Sequence, residues 1–117
     1  MIGEIVVVDY RDYESWKRAR FAVCSVLDMT KPLSQLAEHR GLALEIDHLS
    51  VSILDNLAKG YEGSGDSTFL KKALESVDRL DSALHRASER QALTNSTSHR
   101  LQRQLKGVRW CIAENKT

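Results

Sequence analysis

Leu42, Ile46, Leu49, Ile53 and Leu57 recur at separations of four, three, four and four residues. That period lines one stripe of an α-helix and cannot be laid on one face of a strand, where the repeat is two. The helix is expected to begin near Ser34 or Gly41 and run to Lys59, with Gly60 as a left-handed C-cap. Leu44, Val51, Leu54 and Ala58 fall on roughly the opposite side of the same helix. A helix in a small bundle needs one apolar stripe, so two readings stand for the second: contact with a neighbouring subunit, or wedging among three helices of the same chain.

The same period appears three more times. A first helix is expected from Asp12, read as its N-cap, to about Thr30, where Lys31-Pro32 turns the chain out of α geometry. Its stripe reads Tyr13, Trp16, Val23, Cys24 and Leu27, with Arg20 inside the stripe; a snorkelling arginine at the bundle edge is favoured over a buried pair with Asp55. A third helix spans about Ser67 to Arg90, capped by Asp66 or Ser67, with Leu70, Ala73, Val77, Leu80, Leu84 and Ala87 as its core stripe. A fourth begins between Thr94 and Ser98 and reaches about Asn115 through Leu101, Leu105, Val108 and Ile112.

One proline, few aromatics and many Leu, Ala, Arg, Glu and Lys suit this all-α reading. A chain of 117 residues forms one domain, residues 1–117, which buries about two-thirds of the surface of its unfolded state. The expected architecture is an antiparallel, up-and-down four-helix bundle preceded by a short extended arm, residues 1–9. In that arm Ile5-Val6-Val7-Val8 is too short for a helix and packs on its own bundle or on the next subunit. No apolar run is long enough to span a membrane, and the start lacks the basic region and cleavage site of a secretory signal, so a cytoplasmic protein is expected. Cys24 and Cys111 then read as reduced core thiols, and the sequon at Asn95 as irrelevant.

Net charge is +1, divided unevenly: residues 1–58 carry −3 and residues 59–117 carry +4. Within the basic half Lys72, Arg79, Arg86 and Arg90 occupy a narrow helical arc, a ladder able to follow a phosphate backbone. The competing reading is a solvated face with Glu75 paired to Arg79. Arg103, Lys106 and Trp110 share the outward arc of the fourth helix, where the indole could stack on a base or be buried between subunits, the second being favoured. No catalytic constellation emerges. Gly63-Ser64-Gly65 lacks a third glycine and follows a helix, and the four histidines have no metal-ligand spacing, His85 with Glu89 reading as a surface pair. No enzyme activity, cofactor or metal is expected.

The segment from Val51 to Gly60 resembles the Ser-Ile-x-x-Asn-Ile-Ala-Glu-Gly signature of a four-helix-bundle family encoded in intervening sequences of large-subunit ribosomal RNA genes, matching at Ser52, Ile53, Asn56, Ala58 and Gly60. Tyr10-Arg11-Asp12-Tyr13-Glu14-Ser15-Trp16 is similar to the family's aromatic-x-Asp-Leu-x-x-Trp opening, and Phe69-Leu70 and Ala73-Leu74-Glu75-Ser76 extend the likeness downstream. The run from Ala73 to Leu80 resembles a sister group more closely, the accessory variability determinant of diversity-generating retroelements. Lys59 and Arg79 stand where the ribosomal-type group favours acids, which shifts the chain toward the more basic sister group. The resemblance implies a homo-oligomer, a pentameric ring, with RNA or DNA and a reverse transcriptase as partners. The alternative is a protein-binding or structural scaffold with no nucleic-acid role.

Overall fold

The computed structural model describes residues 9–62 and 68–114. Four helices account for most of them: α1 Glu14–Thr30, α2 Arg40–Glu62, α3 Thr68–Glu89 and α4 Asn95–Ala113. Each packs against its neighbours in sequence, and α4 closes back on α1, giving a square bundle whose short connections make adjacent helices antiparallel. No strand occurs among the described residues. The arm at Ile5–Val8, the connector at 63–65, the Asp66 and Ser67 caps and the end at Asn115 lie outside those residues. No described helix is long and apolar enough to cross a membrane.

The expected stripes of α2 and α4 are buried throughout, as is that of α3 apart from half-buried Leu70. Ile46, Ile53, Leu57, Leu80, Leu84, Leu101 and Leu105 are the largest apolar side chains of the core, each stabilising by about 1.5–3 kcal/mol on burial.

The first helix departs from expectation. Ser15, Ala19, Ala22, Val23, Val26 and Thr30 form its buried face, while Tyr13, Trp16 and Leu27 are half-buried at the α2 seam and Cys24 is exposed. Following the bulky residues displaces the predicted stripe, because the true face is built of small residues at separations of four and three. Cys24 is therefore not a core thiol, whereas Cys111 is buried. Arg20 is exposed, and Asp55 pairs instead with Lys59 at 3.1 Å.

Helix ends differ too. Asp12 closes a 3-10 turn, Tyr10–Asp12, whose cap is Asp9 accepting from the Arg11 N–H; Tyr13 holds the N-cap position of α1 without a side-chain bond. Pro32 does end α1, but inside a second 3-10 turn, Lys31–Gln35. Thr94 caps α4 by accepting from the Thr97 N–H at 3.1 Å.

At the end of α3, Gln91 lies at φ 60°, a left-handed conformation in a residue with a Cβ. The Ala92 N–H donates to Ala87 O at 2.8 Å and the Gln91 N–H to Ser88 O at 3.0 Å, the paired bonds of a Schellman stop in which glycine is the favoured residue. Gln91→Gly is expected to stabilise the fold by about 0.5–1 kcal/mol, since the Cβ penalty exceeds glycine's greater chain entropy. A thermal melt should move up by a few degrees; a lower midpoint would contradict this.

Candidate nucleic-acid and assembly surfaces

The polar signature residues join two helices. The hydroxyls of Ser52 and Ser76 share a hydrogen bond of 2.8 Å between α2 and α3, and the Asn56 side-chain amide donates to Ser52 O at 2.9 Å and Ser52 Oγ at 3.1 Å. Gly60 lies inside α2, two residues before its end, and is not a left-handed C-cap. A Cβ there would sit 2.6 Å from Leu70 Cδ2 and 2.9 Å from its Cγ, so the glycine lets α3 approach. Gly60→Val is expected to cost about 1–3 kcal/mol by overpacking. The loss should shrink in a Leu70→Ala background, and denaturation of both variants would show a purely additive cycle if Leu70 were not the obstacle.

The α3 ladder is uneven. Arg86 is locked onto Glu45 of α2 by two hydrogen bonds, 2.6 and 3.0 Å. That guanidinium holds the Glu45 carboxyl below the ordinary carboxylate range. The pair's stabilisation is therefore full above about pH 4.3 and fades as pH falls through the lowered folded value. Lys72 lies 5.4 Å from the centroid of the Phe69 ring, which Lys59 approaches from 5.9 Å. Arg79 and Arg90 are exposed and make no ion pair among the described residues, so Glu75 does not hold Arg79. His85 and Glu89 do meet, exposed, at 3.3 Å.

Ladder and α4 cations do not form one patch. Arg86 and Ser76 reach toward α2, whereas Asp78 pairs with Arg109 of α4 at 2.9 Å and the Gln102 amide donates to the Asp81 carbonyl at 3.4 Å. The ladder thus borders α2, with the outward row containing Asp78 and Glu89 between it and α4. Arg103, Lys106 and Trp110 are exposed on α4, the indole at 54%. Arg103 and Lys106 line a groove of about 500 Å³ between α3 and α4 with His85, His99, Gln102 and Asp81.

The second face of α2 is exposed where it is most apolar. Leu44 and Val51 are 61% and 62% exposed, two helical turns apart, and Leu54 and Ala58 are half-buried beside them. Val51, Leu54 and Ala58 form one wall of a groove of about 350 Å³, with Trp16, Val23 and Leu27 of α1 opposite and Tyr10 at its end. Tyr10 packs edge-on against Trp16 at 4.8 Å. At the neighbouring corner Tyr13 packs edge-on against Tyr61 at 4.9 Å, and the Tyr61 hydroxyl, its ionisation pushed up by burial, hydrogen-bonds Ser15. The wedged reading of α2 fails for Leu44 and Val51, which nothing in the same chain covers.

Sequence reasoning passed over Phe21, exposed to 67% on α1 beside Arg103 and Gly107 of α4. A large apolar residue off the buried stripe was the available signal. Residues 11–114 match the family model described as 23S rRNA-intervening sequence protein. No curated protein and no solved structure matches the chain.

Proposed function

Since the chain belongs to the 23S rRNA-intervening sequence protein family, we propose that it is a non-enzymatic, RNA-associated helical bundle that acts as a homo-oligomer in the cytoplasm. One observation carries the assembly: the face of α2 turned away from its own core presents Leu44 and Val51 to solvent. Apolar surface of that kind, continued by the α1–α2 groove, is what a second copy would cover. RNA association draws support from the family's name and from Arg79, Arg90, Arg103 and Lys106, exposed cations with no ion-pair partner among the described residues. A pentameric ring and a reverse-transcriptase partner are finer proposals that rest on the resemblance alone.

Light scattering tests the assembly. A mass several times the 13.2 kDa of one chain supports it. A 13.2 kDa species at micromolar concentration would remove it and leave a monomer with an unexplained apolar face.

A further inference from the structure

Three grooves run into one another across α1 and α4. The first, about 670 Å³, includes Trp16, Lys17, Arg20 and Phe21; the second, about 360 Å³, is lined by Lys17, Arg18, Phe21, Arg103, Gln104 and Gly107; the third is the α3–α4 groove. Lys17 and Phe21 belong to the first two and Arg103 to the last two, so the surface is continuous. Arg18 is held by Glu14 at 2.8 Å, but Lys17, Arg20, Arg103 and Lys106 make no ion pair among the described residues. Opposite the Phe21 side of the groove, a Cβ on Gly107 would find nothing nearer than Arg18 NH1 at 3.7 Å, leaving the α4 backbone open to a flat ring. Gln104 adds a side-chain oxygen with no hydrogen-bond partner.

We propose that this α1–α4 band is the surface that holds single-stranded RNA, with Phe21 as the stacking platform for a base and Lys17, Arg20, Arg103 and Lys106 as phosphate contacts. The assignment rests on the RNA-associated reading above and locates it. Four unpaired cations in one track ask for a polyanion, and an exposed phenyl ring among them suits nucleobases, which stack without regard to sequence. The α3 ladder is a poorer track, because Glu45 occupies Arg86 in its middle.

The test is fluorescence anisotropy of labelled single-stranded RNA over a salt series, with light scattering and circular dichroism on each variant. Phe21→Ala should weaken binding about 5- to 100-fold and Phe21→Trp should preserve it. Lys17→Ala with Arg103→Ala should reduce the slope of log K against log salt by about 1.4, near 0.7 for each phosphate released. Arg79→Ala with Arg90→Ala should change neither. If the wild type binds but only the Arg79 and Arg90 pair weakens it, the band is wrong and RNA association stands. Absence of wild-type binding at low salt overturns both. Loss of oligomer mass in Phe21→Ala would make this face a protein interface and overturn the assignment.

Discussion

Val51→Asp converts the oligomer to monomers and leaves the helices intact. In a single bundle Val51 is 62% exposed, so a carboxylate there stays hydrated. Helix propensities of Val and Asp are close, and the monomer should lose little stability. Between two copies the same carboxylate would be buried without a partner, at a cost of several kcal/mol for each site. Even about 3 kcal/mol raises a dissociation constant roughly a hundredfold. Light scattering should report the mass of one chain and far-ultraviolet circular dichroism an unchanged helical signal. An unchanged mass would place the interface elsewhere or abolish it.

Two residues further along the helix the expectation reverses. Ile53 is fully buried, and Ile53→Ala removes most of its side chain from the centre of the core. The loss combines forgone burial with the cavity left behind, about 2–5 kcal/mol, a large share of the 5–15 kcal/mol that holds a domain of this kind together. A fall in melting temperature of about 10 °C or more follows for a chain of this size. Urea denaturation of the monomeric Val51→Asp background would measure it free of assembly, because a ligand or partner that binds only the folded state raises apparent stability. A loss under about 1 kcal/mol would mean that α2 does not present this face to the core.

The contrast between positions 51 and 53 was legible in the sequence, because leucine and isoleucine mark both faces of α2 at helical spacing. The same holds for Leu101, Leu105, Val108 and Ile112 on α4. The core face of α1 was not, since Ala19 and Ala22 carry little hydrophobic signal and Trp16 and Cys24 drew the stripe toward the α2 seam. Gly60 read as a stop because glycine serves that purpose so often; its use here depends on Leu70, a residue of another helix. The ladder of α3 was correctly spaced, but pairing of Arg86 with Glu45 is a contact across 41 residues that no local pattern reveals. Phe21 was missed for a related reason: its meaning comes from Arg103 and Gly107 of the helix beside it.

Binding of the wild-type protein to labelled single-stranded RNA, followed by anisotropy from low to physiological salt, tests the proposed RNA-associated function most directly. Salt-sensitive binding with a log–log slope of about −2 to −3, the value for three or four neutralised phosphates on a single strand, is the predicted result. No binding at the lowest salt, or binding that ignores salt, would contradict it.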